Sequence, residues 1–299
     1  AVLLIAALNS NSKIDMRKYS FLIWFFLLIP FMPCLAWDYD QESISTMHSM
    51  QLRASAEFTK KWQNGLSLEI AEDVRFYMVD NTILDGKSTL NGPSFDKAYT
   101  SLTLGYKPIE YVKVDVGYML KIMGDKDWSK VKKWMRHRVF FSVTGTYRYA
   151  QWSFSLRERF MSEICMSNID IHEATGLAEN NRADWHLRSK IEVAYHAMSK
   201  PLKPYIWFEL ANTLNANTLQ QKYTDNNPDN NDGHQYIKHA RTAIGVVWRL
   251  NSQSSLDFYY RFDYGYEHDV DVISKTQALI LTEKTELRHA IGVAYKFDW

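Results

Sequence analysis

From residue 50 onward the chain alternates apolar and polar positions with a period of two. Over residues 66–78 one parity carries Leu66, Leu68, Ile70, Val74, Phe76 and Met78, and the other carries Ser67, Glu69, Asp73 and Arg75. Successive side chains of a strand point to opposite faces, so such runs predict strands with two chemically different sides. The split recurs at 111–121, where Val112, Val114, Val116, Tyr118 and Leu120 oppose Lys113, Asp115, Gly117 and Lys121. It recurs again at 135–147, where Val139, Phe141 and Val143 oppose Arg136, Arg138, Ser142 and Thr144. Further runs cover 152–160, 185–195, 256–264 and 287–299, with less regular ones at 50–62, 95–106, 205–212 and 239–248, so eleven strands are legible.

Loop lengths alternate too. Short connections near 63–65, 107–110, 148–151, 198–204 and 251–254 are interleaved with long ones near 79–94, 122–133, 162–182, 213–235 and 267–284. An antiparallel meander with its long loops at one end follows. The first clear strand, 50–62, runs toward a short turn, so an even-numbered barrel with both ends on that side needs an ascending strand before it. Residues 37–49, WDYDQESISTMHS, alternate poorly but fill that place. The expectation is an all-β, antiparallel up-and-down transmembrane β-barrel over residues 50–299, with about 12 strands, short periplasmic turns and long extracellular loops. Residues 37–49 are an irregular N-terminal segment or first strand. The alternative is ten or eleven strands with that segment threaded through the lumen.

Composition gives the reason to place these strands in a bilayer. The 299 residues are 46% apolar and 23% charged, with a net charge of +1 and a mean hydropathy of −0.34. Those values argue against a helical membrane protein and a disordered chain, and provide no basic field for nucleic acid. Yet 14% of residues are aromatic. Trp62, Tyr106, Tyr111, Tyr147, Trp152, Tyr195, Tyr205 and Trp248 sit beside short turns, as do Tyr295, Phe297 and Trp299 at the end of the chain. Phe76, Tyr99, Tyr118, Trp134, Phe160, Trp185 and Tyr264 sit toward the long loops. Two aromatic belts around an aliphatic middle suit a barrel whose rings rest at the headgroup level. A soluble sandwich also alternates, but it does not explain charge on the inner parity of nearly every strand. The closing Tyr295, Phe297 and Trp299 have the form of a C-terminal sorting signal read by the barrel-assembly machinery.

Residues 21–36, FLIWFFLLIPFMPCLA, follow Arg17 and Lys18 just after Met16. A basic start, an apolar core and a small residue predict a signal peptide over 16–36, cleaved near Ala36, and export to a bacterial outer membrane. An uncleaved anchor helix is the competing reading, against which the run is short for a span. Residues 1–15 read as an over-extended reading frame. Cleavage removes Cys34 and leaves Cys165 alone, so no internal disulfide is expected.

With the strands placed, the sequence resembles an outer-membrane barrel family called domain of unknown function 2490. The resemblance covers roughly residues 50–299 and rests on KKWQNGLSLE at 60–69, LGYKP at 104–108, Arg136-His137-Arg138, LRERF at 156–160 and GVAYKF at 292–297. It implies a barrel in the outer membrane and supplies no established activity.

The inward parity is where chemistry is expected. The predicted lumen lining is Arg53, Glu57, Glu69, Arg75, Lys113, Asp115, Arg136, Arg138, Arg157, Arg159, Arg188, Glu192, Arg241, Arg261, Asp263 and Arg288. Two readings follow: an ion-pair network that fills and braces the barrel, or an arginine-lined path that favours anions. Arg136, Arg138, Arg157 and Arg159, on neighbouring strands, are the expected constriction. The function so read is a non-enzymatic small-solute, anion-favouring channel, or a scaffold whose loops bind an extracellular partner. The alternative is an outer-wall lipid hydrolase using His137, with Glu158 nearby on the next strand and no catalytic serine in a local motif. A loop-rim protease is disfavoured because Asp80, Asp85, His234 and His268 are scattered. TDNNPDNNDG at 224–233 departs from a calcium loop, with Pro228 where the first aspartate ligand belongs. No cofactor or metal motif is read.

Overall fold

The computed structural model describes residues 44–84, 87–124, 135–165, 182–196, 201–216, 221–222, 225, 236–273 and 278–299. The expected reading-frame extension, signal peptide and residues 37–43 lie outside the described residues, as do Asp85, Trp134, His234 and all of the 224–233 loop except Asp225.

Twelve strands follow one another: β1 (Ile44–Lys61), β2 (Leu66–Leu84), β3 (Lys87–Asn91), β4 (Ser94–Ile109), β5 (Val112–Met123), β6 (Met135–Tyr149), β7 (Trp152–Cys165), β8 (Ala183–Tyr195), β9 (Leu202–Thr213), β10 (Tyr236–Arg249), β11 (Ser254–Ile273) and β12 (Ala278–Asp298). Ten of the eleven runs legible in the sequence extend further toward the long loops than alternation alone indicated. The 267–284 region expected as a loop is mostly the extended β11–β12 hairpin, paired up to Ile273 opposite Ala278.

The wall closes with eleven strands. Consecutive strands pair antiparallel around the barrel, and β1 then pairs in parallel with β12, from Ile44 opposite Glu283 to Thr59 opposite Asp298. No ascending strand stands between them. The described part of the segment expected to supply one, Ile44–Ser49, is instead the loop-side end of β1 itself, paired with both β12 and β2. The twelfth strand is β3, which is the loop-side continuation of β4. Asp80 opposes Asn91 and Tyr77 opposes Ser94 in one unbroken register, with Gly92 and Pro93 between. Proline has no N–H to give the ladder, so one descending strand is split in two.

Outward positions carry the apolar surface: Leu104, Val116 and Ile244 are 54%, 57% and 61% exposed. Inward ones carry buried charge, with Glu209 at 2% and Asp263 at 3%. This inversion of a soluble core is what hydrocarbon outside and polar groups inside require. The belts form with Trp62, Tyr147, Trp152, Trp248 and Trp299 exposed at the short-turn end and Phe76, Tyr118, Phe160 and Trp185 toward the loops. Two belt assignments change. Tyr205 turns inward and donates to Asp257 Oδ1 at 2.9 Å, and Tyr99 is buried in the lumen at 7% exposure.

Short turns fix the register. Gly65, between β1 and β2, has φ +84°, and a Cβ there would lie 2.7 Å from the Lys107 carbonyl oxygen. Ala150, between β6 and β7, has φ +50°, a conformation that costs an L-residue about 1–2 kcal/mol. Ala150→Gly is therefore expected to stabilise the barrel by about 0.5–1 kcal/mol once glycine's greater chain entropy is subtracted. A rise in urea midpoint at unchanged slope in detergent micelles checks this, and a fall contradicts it.

Candidate functional site: the charged lumen

Pleating points every second residue of each strand into the barrel, and the register decides which charges meet. Arg53 stands directly opposite Arg75, and Arg75 opposite Lys97. Lys121 faces Arg136, while Arg157 faces Lys190 and Arg159 faces Arg188. Like charges on directly opposed positions are destabilising. Carboxylates shared between cations offset most of them.

Three clusters result. Asp73 Oδ2 accepts from Arg53 Nη2 at 2.6 Å and from Arg75 Nη2 at 2.7 Å. Glu163 bonds Arg138 and accepts from Lys121 Nζ at 3.1 Å. Glu209 accepts from Arg157 Nη2 at 3.0 Å, Arg188 Nη2 at 2.5 Å and Arg241 Nη1 at 3.0 Å. Asp263 continues the last cluster, bonding Arg261 with Arg241 and Arg288 at 3.8 and 4.0 Å. Arg288 also pairs with Glu286. Toward the short turns Lys113 pairs with Asp115 at 2.8 Å, Lys190 with Glu192 at 2.8 Å, and Lys296 with Asp257 and Glu57 at 3.4 and 4.0 Å. Glu69 is half-buried on the same parity.

Acceptors run short. Among the described residues Arg136 and Arg159 make no ion pair, and Arg159 instead lies over the Phe140 ring at 4.0 Å. The Nε atoms of Arg53, Arg157, Arg159, Arg188, Arg241, Arg261 and Arg288 are buried without a hydrogen-bond partner. The expected constriction of Arg136, Arg138, Arg157 and Arg159 is not one ring. Arg138 sits opposite Glu163 and Arg159 opposite Ser142, four positions apart along β6, and of the four only Arg138 joins the Glu163 cluster and Arg157 the Glu209 cluster.

Several lumen residues escaped the sequence reading. Glu163 shares parity with Arg157 and Arg159 three residues past the expected end of this strand, so the signal was present. Glu209 lay among Tyr205, Trp207 and Ala211, where large rings hid the inward face. Asp96 was hidden by geometry: a β-bulge between Arg75 and Phe76 in the β2–β4 pairing places both Asp96 and Lys97 inward. Asp96 accepts from Gln51 Nε2 at 2.7 Å and from Lys97 Nζ at 3.2 Å. Phe140 and Tyr259 lie over Gly117 and Gly292, where a Cβ would overlap the rings.

The outer wall does not assemble the expected His137–Glu158 pair. His137 opposes Ile164, whereas Glu158 opposes Val143, about 20 Å further along the strand. Four outward polar groups are matched across the ladder instead. Tyr118 Oη lies 2.5 Å from His137 Nδ1, and Tyr260 Oη 2.5 Å from His289 Nδ1. Ser189 Oγ donates to Glu158 Oε2 at 2.6 Å, and Thr100 Oγ1 to Glu72 Oε2 at 2.9 Å. At the short-turn rim His196 is held below the usual imidazole value, first by partial burial and then by Lys203, Arg148 and Arg249, and its Nε2 lies 2.9 Å from Ser153 Oγ.

Fold and lumen together define a transmembrane β-barrel with an arginine-rich interior. The profile of a family described as Protein of unknown function (DUF2490) matches residues 50–273, and the chain belongs to that family. A solved structure titled "NanC porin structure in rhombohedral crystal form" is similar over 83% of this chain and 98% of its own, at 11% identity and a TM-score of 0.38. Among curated proteins none matches.

Glu209→Gln removes the negative charge, and one of the two acceptor oxygens, shared by three half-buried arginines. The expected loss is about 3–5 kcal/mol of stability, because breaking a buried pair leaves uncompensated charge. Lys61→Ala, at a pair 62% and 49% exposed, should change stability by less than about 1 kcal/mol. Urea titration of heat-modifiable gel migration compares the two, and equal effects would contradict the bracing role.

Proposed function

We propose that this protein is an exported outer-membrane barrel that acts as a narrow, anion-favouring channel for small solutes and performs no catalysis. The observation that carries the reading is the lumen's run of opposed cations, Arg53–Arg75–Lys97, Lys121–Arg136 and Arg159–Arg188, of which Arg136 and Arg159 have no carboxylate partner among the described residues. Rings of Arg and Lys bias a pore toward anions. The ion-pair clusters narrow the path and hold the remaining guanidiniums in place, so small solutes are admitted and large ones excluded. The outward aromatic pattern of Tyr295 and Phe297 supports assembly through the C-terminal strand. On the outer wall, the bonding of His137 to Tyr118 and of Glu158 to Ser189 favours a structural role for both.

Planar bilayers provide the test. Stepwise currents of small conductance are expected, with anions more permeant than potassium and with Arg159→Glu lowering that preference. Absence of steps overturns the channel and leaves a loop-presenting scaffold, while a cation preference overturns the assigned selectivity. Phospholipid turnover is expected in neither the wild type nor His137→Ala. Turnover that the substitution abolishes would restore the hydrolase.

A further inference from the structure

Between the Asp73, Glu163 and Glu209 clusters lies a cavity of about 100 Å³, lined by Arg75, Arg138, Arg188, Tyr99, Asp73 and Ser101 among others. A single buried water needs only about 10–15 Å³ on this measure, so the space accepts a small polyatomic ion. Three guanidiniums from three different walls of the barrel converge on it. Each spends part of its fork on its own carboxylate: Arg75 on Asp73, Arg138 on Glu163 and Arg188 on Glu209. A guanidinium has five N–H donors, so donors remain on all three.

Two further features narrow the ligand. Tyr99 is buried beneath Arg75 and Arg138, whose guanidinium carbons lie 4.3 and 5.3 Å from its ring centre, and among the described residues its hydroxyl makes no hydrogen bond. Asp73 uses Oδ2 for both of its arginines, and its Oδ1 is buried with no donor. The site therefore combines surplus cationic donors with one orphaned acceptor. Chloride satisfies only the donors. Sulfate satisfies the donors and opposes the Asp73 carboxylate. Inorganic phosphate near neutral pH retains a proton, so its oxygens can accept from the arginines while its O–H donates to Asp73.

We propose that this cavity is a binding site for a protonated phosphate group, presented by inorganic phosphate or by the monoanion of a small phosphomonoester, whose last proton leaves at about pH 6. The proposal deepens the channel reading by placing a phosphate-selective station inside the path. Binding in solution is read without any current, so the two readings fail separately. Conductance without binding overturns the station alone, and binding without conductance overturns the channel alone.

The detergent-folded protein is titrated calorimetrically with phosphate, with glycerol phosphate and with sulfate at matched ionic strength. Saturable phosphate binding is expected, roughly tenfold or more tighter than sulfate, which is the worth of one hydrogen bond to a charged group. Glycerol phosphate binding more tightly than phosphate assigns the ester as the cargo, and the reverse assigns the free ion. Arg138→Gln and Arg188→Gln should each weaken phosphate binding by about tenfold. These two are chosen because Glu163 keeps Lys121 and Glu209 keeps Arg157 and Arg241. Asp73→Asn should bring sulfate level with phosphate, while Arg249→Gln, at the exposed rim, should alter neither. Lack of saturable phosphate binding overturns the proposal, and so does equal wild-type affinity for phosphate and sulfate. The wild-type comparison stands whether or not any variant folds.

Discussion

An open eleven-stranded sheet in hydrocarbon would leave one edge of β1 and one of β12 with unpaired N–H and C=O groups, at several kcal/mol for each. Direct parallel pairing of these strands removes both edges at once, although a parallel ladder is slightly weaker per residue than an antiparallel one. The odd strand number follows from that seam. Both β1 and β12 descend from the loop side, so their pairing has to be parallel, and the register from Ile44–Glu283 to Thr59–Asp298 leaves no room for an intervening strand. The closed ladder then fixes which parity faces the lipid. It also fixes which charges oppose one another inside.

Inside, closure brings charges from facing walls of the barrel together. Glu209 holds three arginines and Asp73 holds two, so single carboxylates serve several cations. Such sharing links strands far apart in the chain: Arg157 on β7 and Arg241 on β10 meet on one side chain from β9. Small residues at Gly117, Gly245 and Gly292 make room for Phe140, Tyr205 and Tyr259, so rings fill part of the volume that ions do not. Among the described residues the carboxylates hold the wall together, and Arg136 and Arg159 are left without one.

Much of this is legible as a sequence because lipid imposes a strict two-sidedness. Leu66, Leu68 and Ile70 against Ser67 and Glu69 leave one assignment of faces, and every strand so read is present. What alternation does not reveal is any local break in period. Asp96 turns inward only because of a bulge. Pro93 splits one strand into two, and Tyr99 and Tyr205 read as belt aromatics although their parity places them inside. Strand count failed for a different reason. The even-number expectation concerns the two terminal strands meeting each other, a long-range pairing to which the local pattern of residues 37–49 gives no guide. Cluster membership is likewise a register property, invisible until Arg138 is set against Glu163 rather than beside Arg159.

The seam between β1 and β12 is the claim on which the rest stands, and cysteine cross-linking tests it most directly. Ala54 and Val293 are register partners on the outer face. Parallel neighbours lie about 4.8 Å apart, within the roughly 4.4–6.8 Å that a disulfide spans, whereas an intervening strand would hold them near 10 Å. In a background with Cys34 and Cys165 replaced by serine, Ala54→Cys with Val293→Cys should cross-link on oxidation of the folded barrel, and Ala54→Cys with Leu287→Cys should not. Failure of the first pair to cross-link in folded protein, or equal yields from both, would contradict a parallel-closed eleven-stranded wall.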